Sequence, residues 1–219
     1  MEKNLYVQYG CGLCAPKEWL NFDASIRVRL ERIPGLRTLL QGTVGTLFPP
    51  NVRYGDIVHG LPVADGSARA VYCSHILEHL ARDEVPLALN NTRRLLKKGG
   101  IFRLIVPDLK WRILHYIRLS ENLEVGAADK LIESCHIGTR EIAGGILHLL
   151  RSIYGRSQHI WMYDFLALEE LLKEAGFVSI RRCDFGDAGD EMFSLVEDVS
   201  RFFDQGDREL AIEAINPRS

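Results

Sequence analysis

Asp56-Ile-Val-His-Gly-Leu-Pro-Val-Ala-Asp-Gly-Ser-Ala-Arg-Ala-Val-Tyr-Cys-Ser-His-Ile-Leu-Glu-His-Leu80 is the stretch whose reading decides the fold. Asp65-Gly66-Ser67 predicts a tight turn, because Gly adopts positive φ freely and Asp bonds its own backbone. Ala70-Val71-Tyr72-Cys73 is short and apolar, as a strand buried on both faces is. Ser74, His75, Glu78 and His79 follow at once. Polar groups at the carboxyl end of a buried strand mark the place where open α/β sheets take ligands.

Toward the carboxyl terminus, Asp83 as a cap predicts a helix to about Lys98, with Val85, Leu89, Leu95 and Leu96 inward and Gly99-Gly100 as its stop. Ile101 to Val106 is the next strand, ended by Pro107-Asp108. Strand, helix and strand in that order predict a parallel βαβ unit. Residues 111–157 break the rhythm. They read as a helical insertion, a lid or a subunit contact, with apolar spacing at Ile113, Tyr116 and Ile117 and again at Ile142, Ile146, Leu149, Leu150 and Ile153. Asp164 then caps a helix carrying Leu168, Leu171, Leu172 and Ala175 on one face, with Gly176 as its stop. Phe177–Cys183 and Glu209–Ile215 are late strands with no confident helix between them, which predicts an antiparallel edge hairpin on a mostly parallel sheet.

Toward the amino terminus, Leu5–Tyr9, Trp19–Asp23 and Val52–Val58 predict strands one to three. Residues 26–45 read as partly helical, broken by Pro34-Gly35. The early arginines Arg27, Arg29, Arg32 and Arg37 suit a solvated helix face, with a grip on an anionic substrate group as the sharper alternative.

The chain has 219 residues, enough for one α/β domain with an insertion, and 47% hydrophobic with 26% charged residues is an ordinary globular balance. A net charge of −2 argues against a general nucleic-acid binder. Neither a leader nor a run near the roughly 20 apolar residues of a membrane span is expected. Five cysteines form no disulfide framework and suit a reducing cytoplasm. Cys11-x-x-Cys14 has no second pair to complete a zinc site, and Cys135-His136 could do so only by coincidence of folding, so no metal is assigned.

Gly10-Cys11-Gly12 follows strand one directly and lets a ligand approach the backbone. Asp23 lies only 13 positions after Gly10, whereas a dinucleotide fold places its ribose acid about 20 residues on. No crossover helix fits between Gly12 and Trp19, so no helix amino end is placed for a pyrophosphate. A nucleoside without phosphates fits better: Asp23 can accept from both ribose hydroxyls, and Asp56 from an exocyclic amine. A nicotinamide-dependent oxidoreductase is thereby the weaker reading.

Tyr9-Gly-Cys-Gly12, Trp19-Leu-Asn-Phe-Asp23, Leu61-Pro-Val-Ala-Asp-Gly-Ser67, Val71 to Leu80, Arg94-Leu-Leu-Lys-Lys-Gly-Gly100 and His159-Ile-Trp-Met-Tyr-Asp164 with Leu171 to Phe177 together resemble class I S-adenosylmethionine-dependent methyltransferases. More narrowly, they are similar to the small bacterial methyltransferases of glycan and secondary-metabolite pathways. The resemblance implies a Rossmann-like α/β fold: seven strands in the order 3-2-1-4-5-7-6, strand 7 antiparallel, and helices on both faces. It implies a cofactor site of Tyr9, Gly10, Cys11, Gly12, Asp23, Ala24, Asp56, Ile57, Ser74 and His75 for S-adenosylmethionine. The family usually carries an acid two positions before the first glycine; Gln8 stands there, and no covering helix precedes strand one. A catalytically weak or inactive cofactor-binding relative is therefore the alternative.

Methyl transfer from a sulfonium needs alignment above all, and an oxygen or nitrogen acceptor adds a base. His75, His79 and Glu78 are the candidates; a helix starting near Ser74 would set His75 and His79 on one face. His159, Tyr163 and Asp164 are candidates for the acceptor mouth, although Tyr163 also suits a core and Asp164 a helix cap. The expected acceptor is a small molecule or glycan intermediate, methylated on oxygen or nitrogen. A homo-oligomer is left open.

Overall fold

The computed structural model describes residues 5–33, 35, 46–138 and 158–217. Its centre is a sheet in the order β3-β2-β1-β4-β5-β8-β6, with a short β7 paired to β8. The strands are β1 (Leu5–Tyr9), β2 (Leu20–Asp23), β3 (Val52–Tyr54), β4 (Ala68–Ser74), β5 (Leu96–Pro107), β6 (Val178–Cys183), β7 (Phe203–Asp204) and β8 (Asp207–Ile215). Strands β1 to β5 pair in parallel, and β8 runs antiparallel to both β5 and β6. The expected order is therefore present, with β8 in the seventh place because β7 is an extra two-residue strand.

The helices are α1 (Ile26–Leu30), α2 (Val85–Leu95), α3 (Leu109–Glu121), α4 (Ala127–Ser134) and α5 (Phe165–Glu174). Helices α2 and α5 bury Leu89, Leu95, Leu168 and Leu172 against Val7, Val71, Cys73 and Phe102 on one sheet face. The opposite face packs Tyr72 and Ile105 under Trp19, Phe193 and Phe202. Phe193 comes from a 3₁₀ turn, Glu191–Leu195, and Phe202 follows another, Val199–Arg201.

Several boundaries differ from the sequence reading, among them the start of β5, at Leu96 and not Ile101. Helix α2 ends at Leu95 and not near Lys98, and Glu84, not Asp83, precedes it. Its last carbonyls are met from outside: Gly66 N–H donates to Arg94 O at 2.9 Å, and Asn216 Nδ2 to Leu96 O at 2.7 Å. These partners replace a Gly-Gly cap, and Leu96 is already paired with Ala68. Gly99, at φ +69°, then bends the strand where the β4–β5 register shifts. Strand β3 stops at Tyr54, not Val58, because Asp56 Oδ1 accepts from Val58 N–H at 2.9 Å and closes a side-chain turn. No α-helix begins near Ser74; a 3₁₀ turn, Leu77–His79, stands there.

The insertion also docks differently. Ile113 and Ile117 are exposed, and the buried residue of α3 is Arg112. Its guanidinium grips Glu209 on β8 at 2.9 and 3.2 Å and donates from Nε to Ser134 O at 2.8 Å. The second apolar run, Ile142 to Ile153, lies outside the described residues. So does Arg37, whereas Arg27 pairs with Glu31 at 2.7 Å and Arg29 stacks on Tyr54 at 3.6 Å. Arg29 thereby ties α1 to β3, whereas the Arg27 pair braces the helix's own last turn.

The late strands are tied in by a buried ion network. Arg103 on β5 is fully buried and donates to Glu197 at 2.5 Å, to Glu213 at 3.1 Å and to the Asp184 carbonyl at 2.8 Å. Removing one partner of such a network strands the others without charge compensation. Arg103→Ala should cost about 3–5 kcal/mol of unfolding free energy in a urea titration, whereas Arg208→Ala, on an exposed pair with Asp184, should fall below about 1 kcal/mol.

Candidate functional site

Strands β1 and β4 lie side by side and parallel, with Tyr9 opposite Cys73. Whatever follows Tyr9 therefore stands beside whatever follows Cys73. That register brings Gly10-Cys11-Gly12 next to Ser74-His75-Ile76.

The two glycines serve different ends. Gly10 sits at φ +66°, and a Cβ there would meet Ile76 Cδ1 at 2.0 Å. It is glycine because the loop after β4 packs directly on it. Gly12 sits at φ +53° with nothing within 4 Å of a built Cβ, so it borders open space. Its N–H donates to Asp23 Oδ2 at 3.0 Å, and Asp23 Oδ1 accepts from Ser25 N–H at 2.8 Å. The carboxylate at the end of β2 thus holds the glycine turn in place. Each of its oxygens has one donor among the described residues, and a carboxylate has about four acceptor sites. Asp23 is half-buried and Ala24 is exposed, so this acceptor capacity is reachable.

Asp56 stands at the end of the neighbouring strand in the same way. Its Oδ2 contacts Nδ1 of His59 at 2.9 Å, and His59 is largely exposed. Ile57 is buried with its side chain in the core. Only its backbone is offered to a ligand. The same is true of Tyr9, whose hydroxyl meets Thr92 Oγ1 at 3.1 Å inside the core.

The loop from Gly10 to Trp19 contains turns and no helix. Gln8 and Asn21 hold it. Gln8 is buried and donates from Nε2 to Asn21 Oδ1 at 2.5 Å and to Cys14 O at 2.8 Å. Asn21 Nδ2 donates to the carbonyls of Pro16 and Trp19, both at 2.9 Å. A polar side chain on adjacent buried strands, Gln8 opposite Asn21, was the available signal. The Cys11 thiol is buried, and burial, with Asp23 nearby, pushes it up to about 12, so it stays protonated.

The polar groups after β4 do not act as one helical face. His75 has a left-handed backbone, φ +55°, a conformation that costs about 1–3 kcal/mol in a non-glycine residue and gathers at functional sites. Its Nε2 contacts Arg201 O at 3.2 Å and its Nδ1 stands 3.4 Å from Glu78 Oε1. Burial alone would lower the His75 pKa, but Glu78 outweighs it and raises it. His79 turns the other way, with Nδ1 3.2 Å from Gln158 O.

The 158–163 segment folds onto this turn. Ile160 and Trp161 N–H both donate to the Glu78 carbonyl, at 2.7 and 3.1 Å. The His159 ring lies against His79 at 5.1 Å and His136 at 4.9 Å between centroids. Burial, helped by both neighbouring histidines, lowers the His159 pKa to about 4. Tyr163 is buried in the core, and burial pushes its phenol up to about 12. Asp164 caps α5 by accepting from Ala167 N–H at 2.9 Å. His159 is therefore the one of these three that stands with the polar cluster. A separate cleft of about 1450 Å³, bordered by Arg112, His115, Tyr116 and His136, touches none of the glycine-loop residues.

Residues 7–104 match the sequence family described as "Methyltransferase domain". No curated protein sequence matches the chain. Among solved structures, a SAM-dependent methyltransferase of Methanosarcina mazei is 14% identical with a TM-score of 0.53, covering 98% of this chain and 92% of that one. The YcgJ protein of Bacillus subtilis is 12% identical with a TM-score of 0.50, covering 100% and 94%. At such identities the likeness carries the fold.

The two glycines are separable by substitution. Gly12→Ala should cost only the left-handed backbone term, about 1–2 kcal/mol, and Gly10→Ala should cost about 1–3 kcal/mol more for overpacking against Ile76. Thermal unfolding of both variants checks the order.

Proposed function

We propose that this chain is a class I S-adenosylmethionine-dependent methyltransferase, a reading that its fold and the domain match over residues 7–104 support, and that it methylates an oxygen or nitrogen of a small molecule or glycan intermediate. The observation that carries the cofactor assignment is the open, half-buried carboxylate of Asp23 clamped to Gly12 N–H beside unfilled space. These groups fit a nucleoside. They lack the crossover helix of a pyrophosphate-binding dinucleotide fold, because the loop from Gly10 to Trp19 contains no helix.

S-adenosylmethionine, when bound, supplies an activated methyl group on sulfur. Asp23 would accept from the ribose hydroxyls with its spare lone pairs. Asp56 would accept from the adenine amine, with the Ile57 backbone alongside. Ser74 and His75, at the end of β4, would border the sulfur side of the cradle. Gln8 keeps the short β1–β2 loop closed, so the absence of an acid at that position removes no ligand contact that this arrangement uses.

His75 would take the proton from the acceptor. It is about a third exposed, it stands next to the glycine loop, and Glu78 faces its Nδ1. His79 and His159, whose ring centroids lie 5.1 Å apart, would meet the acceptor. The modest charge of −2 and the lack, among the described residues, of a helix long and apolar enough to cross a membrane suit an acceptor met in the cytoplasm.

Calorimetry with S-adenosylmethionine tests this reading. Binding should be one per chain, and Asp23→Ala should weaken it by at least tenfold, from loss of hydrogen bonds to a charged group of roughly 1.5–3 kcal/mol. His75→Ala should, once an acceptor is known, lower kcat by roughly 100-fold. Unchanged binding in Asp23→Ala would overturn the cofactor placement.

A further inference from the structure

Glu78, His79 and His159 each offer one ligand atom, and these atoms all lie within 4.8 Å of one another. We infer that they form a binding site for a divalent first-row transition metal ion, zinc being the simplest occupant.

Three features of the cluster point the same way. The Glu78 side chain is fully buried. Its Oε1 faces His75 at 3.4 Å without hydrogen-bond geometry, and Oε2 has no hydrogen-bond partner among the described residues. A buried carboxylate without donors is costly, and a cation is the usual remedy. Nδ1 of His159 is likewise buried and has no hydrogen-bond partner. A nitrogen in that position is held ready to accept.

The surroundings orient the ligands. Nδ1 of His79 lies 3.2 Å from the Gln158 carbonyl. Donating there fixes the tautomer and leaves Nε2 with its lone pair, the arrangement that metal-bound histidines show. The His159 backbone N–H is anchored on His136 O at 3.1 Å, and the Glu78 carbonyl receives the next two N–H groups of the same segment. Two chain segments that meet across 79 positions at His79 and Gln158 are therefore locked together around the three side chains.

Two histidines and one carboxylate make a three-ligand set with room for a fourth from solvent or a bound molecule, as catalytic and not structural zinc sites have. Ligand atoms ~2.1 Å from a tetrahedral zinc are ~3.4 Å apart. Small shifts of these side chains on binding would close the difference from the 4.8 Å within which the atoms now lie. Such an ion would stand between the turn after β4 and the 158–161 segment. The cysteine spacing gives no hint of it, because none of the three ligands is a thiol.

The test is zinc titration of the untagged chain after chelator treatment and dialysis, by calorimetry and by elemental analysis of the dialysed complex. One zinc per chain is expected. His79→Ala and His159→Ala should each weaken binding by at least a hundredfold, with His115→Ala, outside the cluster, unchanged. Circular dichroism verifies that each variant is folded, and the two half-exposed histidines spare the test from relying on buried Glu78. Cobalt substitution should give visible absorption bands of a low-coordinate site. Less than one-tenth of a zinc per chain, or equal affinity in the parent and both histidine variants, overturns the proposal. A chain that takes S-adenosylmethionine but no zinc would reject this site and leave the methyl-transfer reading intact.

Discussion

The carboxylate of Asp23 is the constraint on which the site depends. It ends β2, accepts the N–H of Gly12 across from the end of β1, and accepts the N–H of Ser25 that opens α1. One side chain thereby ties together the glycine turn, the second strand and the first helix. The turn needs the tie, because the loop between β1 and β2 has no helix to brace it. Gln8 and Asn21 close the loop from below, inside the sheet, and Asp23 closes it from above, at the rim. The same carboxylate keeps acceptor capacity facing outward. The structural role and the proposed binding role can share the residue without competing, since each uses different lone pairs.

Parallel pairing of β1 with β4 does the rest of the positioning. It sets the glycine turn beside His75, whose left-handed backbone turns the chain sharply out of the sheet. The close contact of Ile76 with Gly10 makes the two loops one packed unit. A cofactor held on one loop is then presented to side chains on the other, without a hinge between them.

Much of this was legible in the residues. The βαβ unit over 68–107 rests on apolar runs bounded by turns, and those runs fold as read. The short distance from Gly10 to Asp23 excluded a crossover helix before any coordinates were needed. The α5 cap at Asp164 is a local motif and needed nothing distant. What was not legible depends on partners far away in sequence. Helix α2 ends early because Gly66 and Asn216 take its carbonyls, and no pattern within 83–98 reveals that. Helix α3 docks through Arg112 onto Glu209, an ion pair across 97 positions, so its apolar spacing pointed to a core it does not join. His79 and His159 meet only because the backbone of 160–161 bonds to Glu78. The expectation that His75 and His79 share a face failed because a 3₁₀ turn and a left-handed residue replace the helix.

The most direct measurement is a crystal structure of the chain soaked with S-adenosylhomocysteine. The account predicts electron density for the ribose with both hydroxyls on the Asp23 carboxylate, the adenine edge at Asp56 and the sulfur toward His75. Density for the nucleoside elsewhere on the sheet, or none at saturating ligand with the glycine turn exposed to solvent, would contradict it.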